Sequence, residues 1–179
     1  DIGAYENPLD QLSPTTLYVS TAGNDDNAGY TGDTAKRTIQ AAIDFSAAGG
    51  TVLVAPGTYT GTGNINIDFK GKAITLQSQN GAEVTIIDCQ NAEGTFGVSF
   101  QNRETVASVL DGFTIQNANY SLEGGGHGII STGSSPTITN RIIRGNKAKD
   151  GGGIYCALGS PAITNCIIVD NSTFGVGSD

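Results

Sequence analysis

The chain has 179 residues, a length that fits one domain, and it contains 26 glycines but only 5 prolines. Charged residues make up 15% of the chain and hydrophobic residues 37%, which argues against intrinsic disorder. The net charge of −8, from 9 basic and 17 acidic side chains, argues against nucleic acid as a partner, and the sequence shows no apolar run that predicts a membrane span.

The first regular element that the sequence predicts is a helix over residues 38–48. Apolar residues recur there at helical spacing: Ile39, Ala42, Ile43 and Ala47. Gly49-Gly50 follows at the place where glycine commonly ends a helix. Because this amphipathic helix precedes most of the strands, we expect it to lie across the first end of the fold and cover apolar side chains there.

Beyond residue 50 the sequence is a series of short strands separated by Gly, Asn, Ser and Asp. The clearest predicted strands are residues 51–55, 64–69, 73–77 and 84–88. One helix followed by strands at a spacing of about eight to twelve residues is typical of a sandwich, a barrel or a solenoid.

Internal repeats favour the solenoid among these three folds. Residues 153–168 repeat residues 128–143 at an offset of 25 (153 − 128), and residues 138–143 repeat residues 110–115 at an offset of 28 (138 − 110). A period in the twenties with β content is typical of a parallel β-solenoid. Each circuit of the chain, here called a rung, then stacks about 4.8 Å from the next.

The early rungs are harder to align than the late ones. Residues 74–77 match residues 113–116 at an offset of 39 (113 − 74), which implies longer loops in the early rungs. Start points near residues 51, 84, 128 and 153 predict about four rungs.

The same alignment predicts ladders of stacked side chains. Leu110, Ile138 and Ile163 are expected to form one inward ladder. Ile115, Ile143 and Ile168 are expected to form another. Asn140 and Asn165 are expected to form an amide ladder at a tight turn, because asparagine tolerates a left-handed backbone and its amide bonds along a stack.

Several motifs resemble a known group of proteins. They are YVS at 18–20 with GNDD at 23–26, RTIQAAID at 37–44, and TVLVAPGTY at 51–59. Together they resemble the beginning of secreted right-handed parallel β-helix proteins of the pectin-lyase-like superfamily. The later Gly-Gly-Gly-Ile-Tyr and Ser-Pro-x-Ile-Thr-Asn-x-Ile-Ile repeats resemble bacterial cell-surface members, including polymorphic outer-membrane proteins.

The resemblance covers residues 17–171 and implies a right-handed parallel β-helix with an N-terminal capping helix, secreted or displayed on a cell surface. It implies little about activity, because this fold hosts lyases, hydrolases, adhesins and structural rods. We expect three parts: a closing segment with its linker over 1–16, the first strand, loop and capping helix over 17–50, and the β-helix body over 51–179.

The N-terminal segment has a resemblance of its own. It consists of Asp1, Ile2, Gly3, Ala4, Tyr5 and Glu6. These residues look like the closing segment at the C-terminal end of such β-helix proteins, and a linker with Pro8 and Pro14 follows them. After Asn171, by contrast, no closing segment is recognised. Two interpretations stay open: a piece of a tandem array, or a protomer whose first segment caps its neighbour.

Candidate catalytic residues are few. Gly126-His127-Gly128 resembles an element of polygalacturonases, which also use a set of aspartates on adjacent rungs. Here the preceding rung offers Asp111 alone, so we expect His127 to be a loop residue at a turn and predict no catalytic residue. Arg141 and Arg144, with Lys147 and Lys149 nearby, are expected to form a solvated basic edge.

Metal and cysteine chemistry are also not indicated. Asn24, Asp25, Asp26 and Asp33 could hold calcium, but they lack an EF-hand pattern, so we predict no metal and no cofactor. The three cysteines are expected to be free thiols, with a bridge between Cys156 and Cys166 left open.

These observations predict a structural or adhesive β-helix module that assembles head to tail. Its expected partners are copies of itself or neighbouring β-helix domains, with polysaccharide as a further candidate, and neither nucleic acid nor a membrane span is expected. The alternative is a carbohydrate-active β-helix enzyme, a polysaccharide lyase or a glycoside hydrolase. A carboxylate cluster on the helix body would favour the enzyme.

Overall fold

A computed structural model describes residues 15–120 and 127–174 of the chain. Regular structure there consists almost entirely of short strands, with a 3-10 turn at Gly32–Thr34 and the helix α1 at Ile39–Phe45. The strands are β1 Thr16–Val19, β2 Thr51–Val54, β3 Gly57–Tyr59, β4 Ile67–Asp68, β5 Thr75–Ser78, β6 Thr85–Asp88, β7 Val98–Phe100, β8 Val109–Asp111, β9 Thr114–Gln116, β10 Asn119–Tyr120, β11 Ile129–Thr132, β12 Thr137–Arg144, β13 Lys147–Ala148, β14 Ile154–Ala157, β15 Ala162–Val169 and β16 Ser172–Thr173.

The strands stack as a parallel β-solenoid of about four rungs, as the repeats predict. One face runs β1-β2-β5-β8-β12-β15, and a second runs β3-β6-β9-β12-β15, because the long strands β12 and β15 bend around a corner and serve both. The third face runs β4-β7-β11-β14, and the short strands β10, β13 and β16 pair at a further corner. Every strand pair named here is parallel, which a chain that winds in one direction requires.

The register of the late rungs confirms both predicted isoleucine ladders. Ile138 pairs with Leu110 below it and Ile163 above it, and Ile143 pairs with Ile115 and Ile168 in the same way. Ile138 and Ile143 are fully buried. The apolar interior therefore consists of side-chain columns that run along the solenoid axis.

The sequence alignment predicted for the early rungs, which matched residues 74–77 with residues 113–116, is wrong. Leu76 pairs with Leu110, so residues 74–77 lie on the first face, while residues 113–116 lie on the second. The second rung likewise begins with β5 at Thr75 and not near residue 84, which precedes a second-face strand. A strand's alternating pattern shows which side chains are buried but not which face the strand belongs to.

The helix is shorter than predicted. It begins after Thr38, whose side chain accepts from the Ala41 amide at 3.3 Å, and it ends at Phe45. Gly49 does not end it, because the Gly49 amide donates to the Ala73 carbonyl of the next rung at 2.7 Å. Instead the Lys72 ammonium donates to three carbonyls around the helix end, those of residues 43, 44 and 46, at 2.7 to 2.8 Å.

The helix buries one face completely. Ile39, Ala42 and Ile43 are inaccessible to solvent, and α1 contacts β1, β2 and β4. Its apolar stripe therefore packs on the first rung.

Candidate functional site at the open end of the solenoid

The last described rung exposes side chains that are buried one rung earlier. Ile163 is 39% exposed and Ile168 51% exposed, whereas Ile138 and Ile143, their register partners in β12, are fully buried. Within residues 15–120 and 127–174, β15 pairs with β12 on one edge and with no strand on the other. This surface, defined by the inward-facing Ile163, Cys166 and Ile168, is here called the open end.

The opposite end of the solenoid is closed. The outer edge of β1 bonds to the loop that follows it: the Tyr18 amide donates to the Gly29 carbonyl at 2.7 Å, and the Lys36 amide donates to the Tyr18 carbonyl at 2.9 Å. The Ser20 amide donates to the Lys36 carbonyl, also at 2.9 Å. The outward-facing amide and carbonyl of Tyr18 therefore already have partners within the chain, so β1 cannot pair with another strand along its whole length.

The asparagines of the predicted turn ladder lie at the corner where β12 and β15 bend. Asn140 and Asn165 have φ values of 55° and 50°, and the Asn165 Nδ2 donates to the Asn140 Oδ1 at 2.6 Å. The Asn140 Nδ2 donates in turn to the Asp111 Oδ1 at 2.7 Å. Because a carboxylate only accepts, Asp111 fixes the orientation of both amides above it.

A second asparagine pair stands at the next corner. The side-chain oxygen of Asn171 accepts from the Asn146 backbone amide at 3.0 Å and from its Nδ2 at 2.9 Å. Asn146 is fully buried, and its own oxygen accepts from the Ala118 amide at 2.9 Å. The sequence repeat matches these two residues, but that match alone does not indicate a buried amide column.

The expectation that Arg141 belongs to a solvated basic edge is wrong. Arg141 is 1% exposed, and its guanidinium lies 4.9 Å from the centre of the Phe113 ring. In the described chain, none of its three side-chain nitrogens has a hydrogen-bond partner. Burial lowers the pKa of Arg141 well below its ordinary value, while Asp111 and Cys166 act in the opposite direction. Arg144, by contrast, is exposed and donates from Nε to the Gln116 Oε1 at 3.0 Å.

His127 lies outside the strands, two residues before β11, and is fully buried. Its Nδ1 bonds to the Gly151 carbonyl, and its ring stacks on Tyr155 with 4.8 Å between centroids. Because a carbonyl only accepts, Nδ1 carries the proton and Nε2 does not. Burial lowers the pKa of His127, and the Gly151 carbonyl and Asp150 partly oppose this shift.

This geometry predicts an acid-sensitive step in stability. A histidine whose pKa is lowered in the folded state binds its proton more readily when unfolded, so stability falls as the pH drops below about 6.5, the ordinary value. His127→Asn is expected to remove that part of the pH dependence. Urea unfolding at several pH values between about 7 and 5 measures it, and an unchanged pH profile in the variant would contradict this assignment.

No metal centre is found among the described residues, where no three His, Cys, Asp or Glu side chains cluster. In the loop considered for calcium, the Lys36 ammonium donates to the Asp25 and Asn27 carbonyls at 3.0 and 2.8 Å. Asp25 accepts from the Arg37 and Thr38 amides at 2.9 and 2.8 Å. The Lys36 ammonium thus already occupies backbone oxygens of this loop that would otherwise be available to coordinate calcium.

The three cysteines are free thiols in this structure. Cys89 is buried, and burial raises the pKa of its thiol to about 12, so it serves as a small apolar side chain. Cys156 is exposed, and Cys166 is half-buried at the open end.

The predicted assembly segment, residues 1–6, lies outside the described residues.

Comparison with known proteins adds one relative. The chain is 32% identical over 142 residues to pectate lyase PEL9 of Emericella nidulans, an alignment that covers 75% of this chain. The chain spans only about a third of that relative, 34% of its length. No protein-family model and no solved structure matches the chain. The parallel β-solenoid and this similarity support a pectin-lyase-like parallel β-helix.

Among the described residues, no helix has the length and apolar character needed to cross a lipid bilayer.

Proposed function

We propose that the chain is a structural or adhesive module of an extracellular right-handed β-helix protein, which stacks head to tail with copies of itself or with neighbouring β-helix domains. The observation that carries this proposal is the open end, where Ile163 and Ile168 are 39% and 51% exposed at positions that are buried in the rung below. Exposed apolar columns beside an unpaired strand edge favour the addition of another strand.

The difference between the two ends limits which strand can be added. A second copy cannot extend β15 with its own β1, because residues 29 and 36 already occupy the outer edge of β1. The helix α1, which buries Ile39, Ala42 and Ile43 against the first rung, acts as the N-terminal cap in this proposal. The added strand must therefore come from outside the solenoid body.

Residues 1–6 of a second copy are the strand that we assign to the open end. They are mostly uncharged, with Ile2, Ala4 and Tyr5 available for apolar contacts. Pro8 and Pro14 lie between them and the body, and proline lacks the amide that a continuing ladder needs. Such a head-to-tail contact generates a linear array unless its rotation closes a ring.

Two point variants of β15 test this proposal. Ile168→Asp places a charge on the open end and is expected to abolish assembly, whereas Val169→Asp is the matched control. Val169 is 41% exposed and pairs with the outward-facing Arg144, so its charge would remain in water. Light scattering with size-exclusion chromatography and negative-stain microscopy would compare both variants with the wild-type chain.

Deleting residues 1–6 is expected to give a folded monomer in the same experiment, with circular dichroism as the check on folding. A wild-type chain that stays monomeric at high concentration would overturn the proposal. Arrays that persist after the deletion would show that another segment makes the contact.

The similarity to a pectate lyase favours a second candidate, a carbohydrate-active enzyme on acidic polysaccharide. The described body gives it little support, because Asp88 and Asp111 are both engaged with neighbouring amide side chains and no acidic cluster accompanies them. Depolymerisation of polygalacturonate in the presence of calcium, lost in the His127→Asn variant, would favour the enzyme over the structural module.

A further inference from the structure

Leu158 has an unfavourable backbone conformation at an exposed turn. Its φ is 55°, in the left-handed region that a bulky side chain rarely adopts, and the residue is 91% exposed. One rung earlier the same position is occupied by Gly133, with a φ of 64°. Glycine adopts this conformation without strain, so the turn itself does not require a leucine. Strain at an exposed apolar side chain indicates a contact made outside the chain.

The rung below holds the turn of Leu158 in place. A Cβ added at Gly159 would collide with the Ser134 carbonyl oxygen, so the chain after Leu158 packs directly on the preceding turn. The Ser160 amide also donates to the Ser135 Oγ at 3.1 Å. These contacts fix the backbone of the turn, and Leu158 keeps its positive φ and its exposed side chain.

Leu158 adjoins the open end. It lies shortly before β15, at the corner that leads into the first face, and the open end begins with Ile163 on the same rung. Between them lie Pro161 and the exposed Ala162, which are also apolar. One apolar surface therefore extends from Leu158 to the surface that, as proposed above, meets a second copy.

The closed end of the solenoid carries a cleft at the same corner. The cleft has a volume of about 150 Å³ and is lined by Thr15, Leu17, Tyr30, Phe45, Ser46 and Ala47. Ser46 and Ala47 come shortly before β2 on the first face, just as Leu158 comes shortly before β15. The rings of Tyr30 and Phe45 lie 6.0 Å apart and are each about half exposed. A cavity of this volume admits a group of the size of benzene, to which a leucine side chain is similar.

We propose that Leu158 of one copy inserts into this cleft of the next copy in a head-to-tail array. The inference rests on the assembly proposed above and names the side chain that anchors it. Because both features lie at the same corner, they face each other when two copies stack with their first faces aligned. A covering strand between the copies sets β15 and the next β1 two strand spacings apart, roughly 10 Å, a gap that a leucine and an aromatic side chain span together.

Leu158→Asn is expected to change stability and assembly in opposite directions. Asparagine tolerates the left-handed conformation, so the melting temperature of the unassembled chain is expected to rise by about 2 °C. The variant lacks the apolar anchor, so its concentration for half-assembly is expected to rise about tenfold, as the loss of a buried leucine contact implies. A leucine without a partner would leave assembly unchanged.

The matched control is Val106→Asn, which removes another exposed apolar side chain from the same corner, two rungs before the open end. Its assembly is expected to equal that of the wild-type chain. Phe45→Ala removes one wall of the cleft and is expected to weaken assembly about as much as Leu158→Asn, and the double variant no more than either. Light scattering follows the assembly of the full-length chain, and circular dichroism follows its melting at a concentration that keeps it monomeric.

The outcomes separate this contact from the assembly itself. Assembly unchanged in both Leu158→Asn and Phe45→Ala would overturn the contact and leave head-to-tail stacking standing. A loss in Leu158→Asn that Phe45→Ala does not share would also overturn it, because the leucine would then bind a different surface. A wild-type chain that never assembles would overturn both proposals.

Discussion

Ile143→Asp is expected to unfold the late rungs of the solenoid. Ile143 is fully buried between Ile115 and Ile168, so the variant loses apolar burial and places an unpaired carboxylate in the interior. The combined cost is about 5 kcal/mol or more, comparable with the whole stability of many domains. Urea unfolding followed by circular dichroism would measure the loss, and hydrogen exchange would locate it in residues 129–169.

The matched control is Ile168→Asp, the same change one rung later in the same column. Ile168 is 51% exposed, so its carboxylate stays hydrated and the expected cost for the monomer is about 1 kcal/mol or less. Similar losses of stability in both variants would show that Ile168 is as buried as Ile143, which would contradict the exposure described above.

Glu104→Ala is expected to destabilise three rungs at once. The buried Glu104 carboxylate accepts from the Gly71 amide, the Asn102 amide and the Ser134 hydroxyl, each at 2.8 Å. Removing it takes away the acceptor of the two backbone amides and leaves the Ser134 hydroxyl only the Thr132 carbonyl at 3.3 Å, at an expected cost of about 2 kcal/mol. Thermal and urea unfolding would measure the change in the free energy of unfolding.

Glu83→Ala is the control for that substitution, because Glu83 is exposed and the change in formal charge is the same. Its expected effect is within about 0.5 kcal/mol. Glu104→Gln is expected to recover part of the loss, since one oxygen still accepts while the new amide faces another donor. Equal stability of Glu104→Ala and wild type would show that water replaces the carboxylate.

The late rungs were predictable from the sequence because their repeats keep a constant length. An offset of 25 residues places Ile163 over Ile138 with no gap, and the structure has that pairing. The early rungs carry loops of different lengths, such as residues 79–84 and 101–108, so the same hydrophobic pattern could be aligned to the wrong face. Only the sheet register distinguishes these alternatives.

The environment of Arg141 was partly predictable. The repeat offsets place it in one column with Phe113 and Cys166, and two apolar residues in that column indicate an inward position. The general tendency of arginine to lie at the surface outweighed this signal. Glu104 gave no comparable signal, because its three donors come from three rungs that are far apart in the sequence.

The side-chain hydrogen bonds of the amide column at the corner all point the same way along the solenoid axis. This orientation restricts which residue an adjoining segment can place above Asn165. The hydrogen bonds run from Asn165 to Asn140 to Asp111, so every amide donates toward the N-terminal side of the solenoid. The next layer would meet the carbonyl oxygen of Asn165, which accepts from asparagine, lysine or arginine but repels aspartate or glutamate. Sequences of adjoining β-helix segments could therefore be sorted by one corner residue, without knowledge of the rest of their surface.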